Sequence, residues 1–346
     1  MKVLFLTIGN RLVASSRVRI YSYLPYLRQD GCGVRILPYT PSWQCRKILS
    51  MQRQNLIEKL FSKLYSLGVI LYLFILAPFF DVIYIQKVLL SKFTIAVLGI
   101  LNRDIIFDFD DAIFAHKDVT YLLKASACVI VANKFLKDFA SGHNAKVYEL
   151  ASPVEIDDRP SLKKDISVTL GWIGSPQSSR YLHALISVFK SLKGKFNNLK
   201  IEFMGAENNE YFADSDIKIN SWSIENEKEY LRRIDIGIMP LADNDVARAK
   251  AGYKLLQYMA AAVPCVAAPV GINKEIVQDG RNGFLASTEE EWLDKLTLLI
   301  KDAPLRQQLG QEGLRLAERL YSYRVTAPRF IEILSSVAKR GNGYVK

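Results

Sequence analysis

Histidine and cysteine are scarce in this sequence. Its four cysteines, Cys32, Cys45, Cys128 and Cys265, are scattered with no CxxC pair, and its three histidines lie far apart. No disulfide framework or cysteine-histidine metal site is expected, and a reducing compartment suits the chain. Acidic residues are scarce at the start: positions 1–103 hold 3 Asp+Glu against 14 Lys+Arg. The remainder holds 32 of each sign, so all of the net charge of +11 sits in the first part. Such a surface is either simply solvated or meets an anionic lipid face or an acidic acceptor. Nucleic acid would suit the charge too, but no RNP, zinc-finger or KH pattern is present, so none is expected as a partner. Lys2–Ile8 runs straight into glycine and polar residues, so no cleavable leader is expected.

The 346 residues are half hydrophobic, enough for two domains with separate cores. Short β-branched runs alternate with helical patterns. Strands are expected at Val3–Ile8, Gly33–Pro38, Val82–Ile85, Ile105–Phe109, Ala127–Ala132 and Lys146–Leu150. Helices are expected at Val18–Leu27, over 43–80, and at Leu89–Leu101 and Lys134–Ala140. Ala151–Asp165, with two prolines and a charge run, reads as a linker. The alternation then restarts with strands at Ser167–Ile173, Leu199–Met204, Ile234–Met239 and Pro264–Val270. Two successive βα patterns predict an α/β fold of two doubly wound domains, with ligands at the carboxyl ends of the strands.

The stretch from Arg248 to Pro264 is the richest in chemistry. Gly252 opens a helix there, and Lys250 and Lys254 are expected on one face of its start. Paired cations at the positive end of a helix dipole are unfavourable unless an anion completes them. The alternative is that both lysines reach into water. In the following loop, Gly271 permits close backbone approach and Asn273 is placed to cap a second helix. Two helix starts at one sheet edge suit a diphosphate.

Residues 252–286, GYKLLQYMAAAVPCVAAPVGINKEIVQDGRNGFLA, resemble the signature of retaining GT-B glycosyltransferases, especially glycosyltransferase family 4. More weakly, Gly171-Trp-Ile-Gly-Ser-Pro176 resembles the first strand and loop of that family's donor domain. Trp222-Ser-Ile resembles its base-contacting segment, and the last helix, about 323–340, resembles one that packs back on the first domain. The resemblance implies two Rossmann-like domains facing across a cleft: residues 1–155 for the acceptor, 166–322 for the donor, and 323–346 returning. It implies a nucleoside-diphosphate sugar as donor substrate, no cofactor and no metal. The donor site is expected at Gly174, Ser175, Trp222, Ser223, Lys250, Gly252, Lys254, Gln257, Gly271, Asn273 and Glu275. Ala249 and Gln257 stand where the family carries two glutamates, the second associated with ribose hydroxyls. Gln257 still hydrogen-bonds but carries no charge; otherwise it is an ordinary helix-surface amide.

In the first domain, Asp108, Asp110 and Asp111 end a strand. Asp108-Phe-Asp110 is formally a DxD, a metal motif in a different glycosyltransferase fold. Asp110, Asp111 and His116 are instead expected at the acceptor or the transferring sugar, with helix capping as the alternative for the two carboxylates. Arg17 and Arg19 are expected at the start of the first helix, where they meet a phosphate, an acidic acceptor or solvent. Between Lys63 and Asp81 lie 17 uncharged residues, short of the roughly 20 that a span needs. Pro78 and an immediate strand also argue against spanning. A buried or interfacial helix is expected, preceded by Arg46, Lys47, Arg53, Lys59 and Lys63.

The resemblance implies retaining transfer of a sugar from a nucleoside-diphosphate sugar to a glycan or lipid-linked acceptor in cell-surface polysaccharide synthesis. The protein is expected at the cytoplasmic, anionic membrane face. Ala249 and Gln257 leave open a catalytically silent assembly partner of the same fold, and a nucleotide-sugar epimerase is a third option.

Overall fold

The computed structural model describes residues 1–50, 52–157, 167–207, 212 and 216–341. The chain divides into two compact units. One is Met1–Pro153 with Ala249–Ala251 and Tyr323–Lys346; the other is Val154–Arg248 with Gly252–Ser322. The linker expected at Ala151–Asp165 is described only as far as Asp157. From Val154 on it belongs to the second unit: Val154 bridges Ser322, and Arg232 holds Asp157 through two bonds of 2.6 and 2.5 Å.

The first unit is built on β1 (Lys2–Thr7), β2 (Gly33–Pro38), β3 (Val82–Gln86), β4 (Ile105–Phe109), β5 (Cys128–Val131) and β6 (Val147–Glu149). They form one sheet in the order β2-β1-β3-β4-β5-β6, every pairing parallel. β3 and β4 are buried at every position, as strands covered on both faces must be. The strand order reverses between β1 and β3, so a crevice at their carboxyl ends is where such a sheet takes ligands. The helix Tyr323–Gly341 closes this unit's core: Phe330 packs on Tyr23 and Tyr84, and Tyr323 donates to the Val18 carbonyl.

Two expected helices here are each divided. The first breaks into Ala14–Arg19, a tight turn at Tyr21–Tyr23, and Leu24–Gln29. Pro25 sits in the first turn of the last piece, where its missing N–H costs nothing. The stretch 43–80 divides into Ser42–Leu49 and Leu56–Leu76. Asn55 restarts the helix by accepting the Glu58 N–H, while Glu58 accepts the Asn55 N–H. The second piece lies along the edge strand: Tyr65 donates to the Pro38 carbonyl, Ser66 to the Tyr39 carbonyl, and Arg35 to the Tyr72 hydroxyl.

The second unit is built on β7 (Val168–Ile173), β8 (Leu199–Met204), β9 (Ile217–Asn220), β10 (Ile236–Met239), β11 (Cys265–Ala267) and β12 (Gly283–Leu285). Their order, β12-β11-β10-β7-β8-β9, again all parallel, reverses between β7 and β10. The helix Tyr253–Ala260 docks with Tyr258 over Gly237, where an added Cβ would lie 2.5 Å from the ring. Burial pushes the Tyr258 phenol well up, so it stays neutral; its hydroxyl donates to the Ile238 carbonyl and accepts the Ile173 N–H. β9 was not foreseen, because Ile217-Lys-Ile-Asn220 is too short to stand out from its polar surroundings.

Candidate functional site

In the second unit, the loop after β7 carries Gly174 and Ser175. Lys254, on the first turn of the helix Tyr253–Ala260, reaches across this loop. Its ammonium lies 5.2 Å from the centroid of the Trp172 ring. An added Cβ on Gly174 would sit 2.5 Å from Trp172 and 2.6 Å from Lys254 Cε, so glycine makes the room. The aromatic face fixes the cation at the strand end, close to where the strand order reverses. Ser175 is exposed and forms a turn with Ser178, whose hydroxyl accepts its N–H and donates to its carbonyl.

The helix start differs from expectation. Gly252 adopts the left-handed conformation (φ 66°) as N-cap, so Lys250 precedes the turn and is not helical. The two lysines therefore do not share a helix face, and only Lys254 sits on the first turn. Gly271 is also left-handed (φ 54°), and its Cα lies so near Arg248 that a Cβ would be 2.7 Å from the Arg248 carbonyl oxygen. A Cβ on Gly252 would meet Ile276 at 2.5 Å and Ile272 at 3.0 Å, so the loops at 252 and 271 pack together. Among the described residues the N–H groups of Gly271 and Ile272 have no acceptor. Successive amides at a left-handed residue form an anion-binding concavity.

Asn273 does not cap the helix that follows: the cap is Ile272, and Asn273–Ile276 is a single turn. One turn aligns too few peptides to make a strong dipole, so this is no second helix N-terminus of the expected kind. Asn273 instead donates to the Ala268 carbonyl, while its buried Oδ1 has no partner among the described residues. Glu275 is exposed on that turn. Gln257 is only 6% exposed, so it is not a helix-surface amide. Ser223 caps the helix Ile224–Arg233 by accepting the Asn226 N–H. Trp222, half-buried, is oriented by a 2.6 Å bond from its indole N–H to Glu227.

In the first unit the arginines do not stand where expected. Arg17 and Arg19 occupy the last turn of Ala14–Arg19, where cations complement the dipole, not the first. Arg19 is 2% exposed and pairs with the fully buried Asp108, through Nε at 2.8 Å to both oxygens and Nη2 at 2.5 Å. Burial alone would weaken its protonation, but the charge and hydrogen bonds of Asp108 more than offset that. Arg19 is therefore committed to the fold, not to an incoming anion. Arg17, half-buried, donates to the Arg11 carbonyl.

The Arg19 pairing also removes Asp108 from the DxD-like triplet. Asp110 and Asp111 turn instead to Lys87, at 3.1 and 3.4 Å. Lys87 follows β3 in the left-handed region (φ 57°), a strained conformation for a non-glycine residue, costing about 1–3 kcal/mol. Burial opposes ionisation of both partners, yet the Lys87 charge holds Asp110 below the usual carboxylate range and the two aspartates raise Lys87. Asp111 also accepts the N–H of the next residue, Ala112, but the cap of the short helix Ile113–Ala115 is Ala112 with no side-chain bond, so Asp111 is not its cap; His116 is exposed just beyond. Beside Lys87, Gln86 Oε1 accepts from Ser16 and the Ile8 N–H, joining β1 and β3 at the reversal point. Lys87 and Gln86 were missed in the sequence; the available signal was their place at the end of an apolar strand. Among the described residues no group of three or more His, Cys, Asp or Glu is placed to hold a metal.

Residues 167–302 match the family model of glycosyl transferases group 1. No curated protein sequence matches the chain. Among solved structures, a glycosyltransferase from Rickettsia africae ESF-5 matches at TM-score 0.74 and 13% identity, covering 98% of each chain. Anabaena Alr3699/HepE, solved with UDP and glucose, matches at TM-score 0.70 and 15% identity, covering 97% of this chain and 100% of its own. Sucrose-phosphate synthase from Thermosynechococcus elongatus matches at TM-score 0.70 and 11% identity, over 97% and 99%. The chain thus has the GT-B fold, and its residues 167–302 are similar to the group 1 glycosyl transferases.

Proposed function

We propose that the protein transfers a sugar, with retention, from a nucleoside-diphosphate sugar to a glycan or lipid-linked acceptor of cell-surface polysaccharide synthesis. The observation that carries this is the placement of Lys254 over Trp172, beside Gly174, at the reversal point of the second sheet. A fixed cation near a backbone anion cradle suits a diphosphate leaving group, whose charge grows as the sugar departs. HepE has been solved with UDP-glucose, which supports the donor class. Catalysis is then mainly positioning, with the departing diphosphate stabilised by Lys254 and the Gly271–Ile272 amides. Asp110 and Asp111, held by Lys87, and the exposed His116 are the candidates to orient acceptor or sugar. Transfer is read as metal-independent, because Arg19 occupies Asp108.

Titration with UDP and UDP-sugars tests the donor site. Lys254→Ala is expected to weaken binding about tenfold or more, the loss of a charge-assisted hydrogen bond being worth ~1.5–3 kcal/mol. Chelator should change neither binding nor transfer. Unaltered affinity in Lys254→Ala would remove this assignment, and metal-reversible loss of transfer would overturn the metal-independent reading.

The membrane reading concerns Leu56–Phe79, which is long and apolar enough to cross a bilayer, with mean hydropathy 1.9, and is mostly exposed. Its hydrogen bonds to Pro38, Tyr39 and Arg35 hold it along the first sheet, which supports lying at the interface over spanning. The basic first part of the chain adds attraction to anionic lipid, roughly 1 kcal/mol per Lys or Arg close to the surface. Sedimentation with anionic vesicles is expected at low salt and lost at high salt. No sedimentation at low salt would rule out the interface; sedimentation that resists salt and alkali would mean an inserted helix.

A further inference from the structure

A cavity of about 600 Å³ lies in the first unit, between the Tyr39–Thr40 turn and the helix Leu56–Leu76. Lys59, Leu60, Lys63, Leu67 and Ile70 line it, at the three- and four-residue spacing of one helix face. Lys59 and Lys63 stand near the start of the helix, flanked by Leu56 and Leu60 and followed by the apolar residues Leu67 and Ile70, with Ile70 roughly 10 Å beyond Lys63 at 1.5 Å per residue. Both lysines are exposed, and neither forms an ion pair among the described residues; Lys47 nearby is paired with Glu58. Past the cavity the apolar surface continues through Leu71 and Ile75, 55% and 63% exposed, to Phe79. An apolar track that runs from two cations to an exposed apolar face matches an anionic amphiphile.

We propose that this cavity binds a single membrane lipid bearing a phosphate or diphosphate head. The head pairs with Lys59 and Lys63, and the first carbons of the chain lie along Leu67 and Ile70. The rest of the chain passes over Leu71 and Ile75 into the bilayer. That this lipid is the sugar acceptor rests on the transferase reading; its binding does not. A second copy of the chain is a poorer occupant, because the first 103 residues carry the whole net charge of +11 and two such surfaces repel.

The test uses the full chain and dodecyl phosphate below its micelle concentration. Inorganic phosphate and dodecyl maltoside serve as head-only and neutral-chain probes. Dodecyl phosphate should bind more tightly than either. The double variant Lys59→Ala/Lys63→Ala should weaken it about tenfold or more. Leu67→Glu should weaken it similarly, and both variants should keep the wild-type melting temperature and UDP affinity. Equal binding of inorganic phosphate, or maltoside binding as tight and indifferent to the lysines, would overturn the proposal. So would lipid-free dimerisation abolished by Leu67→Glu. UDP binding without dodecyl phosphate binding sinks the cavity alone; dodecyl phosphate binding with no nucleotide binding sinks the transferase reading alone.

Discussion

Asp108→Ala is expected to destabilise the protein by about 3–5 kcal/mol, the usual cost of removing one partner of a buried ion pair. The Asp108 side chain is 0% exposed and Arg19 is 2% exposed. Among the described residues, alanine would leave the enclosed guanidinium with the Leu150 carbonyl, at 3.0 Å, as its remaining hydrogen-bond acceptor and the charge of Asp110 as its remaining electrostatic partner. The loss should read as a lower urea midpoint with an unchanged denaturant slope. Arg19→Met/Asp108→Leu should recover much of it, because apolar replacements remove the charge that needs a partner. Folded Asp108→Ala protein should still bind UDP, since the pair belongs to the first unit and the proposed donor site to the second. A destabilisation under about 1 kcal/mol would mean that the site is wet and the pair dispensable.

Gly271→Ala should abolish nucleotide binding, and Gly280→Ala should not. Both glycines are left-handed, at φ 54° and 73°, so both substitutions carry a conformational cost of roughly 1–2 kcal/mol. They differ in surroundings. An alanine Cβ at 271 would lie 2.7 Å from the Arg248 carbonyl oxygen and 2.9 Å from its Cα, whereas at 280 nothing lies within 4 Å. Backbone cannot swing aside as a side chain does, so the loop at 271 must move, carrying the Gly271 and Ile272 amides with it. Gly280→Ala measures the conformational cost alone. UDP titration with melting curves separates the effects: Gly280→Ala should lose stability but keep affinity. Wild-type UDP affinity in folded Gly271→Ala would show that this loop does not bind the diphosphate.

Much of the second unit's fold was legible in the sequence. The strands after which Gly174 and Gly271 follow are short apolar runs ending in turn residues, and the 252–286 spacing resembles a known signature. Misplacements came where a single backbone conformation decides the outcome. Left-handed Gly252 excludes Lys250 from the helix, and the Ile272 cap turns Asn273 inward to Ala268. Neither follows from periodicity, which reports which face of an element is apolar but not the residue at which it starts.

The sequence by itself determined the alternation of strands and helices, the two parallel sheets it implies, and the concentration of positive charge before residue 104. These are local or additive properties: burial imposes a period on each segment, and charge sums along the chain. Only the tertiary structure decided which charges meet. Arg19 and Asp108 are 89 positions apart, and their pairing took Arg19 from the candidate anion contacts and Asp108 from the carboxylates at the strand end. It likewise decided that Leu56–Leu76 lies on the surface, since an apolar helix has the same composition whether a core or a membrane covers it. Partner identity and exposure depend on what the rest of the chain brings alongside, and no window of sequence contains that.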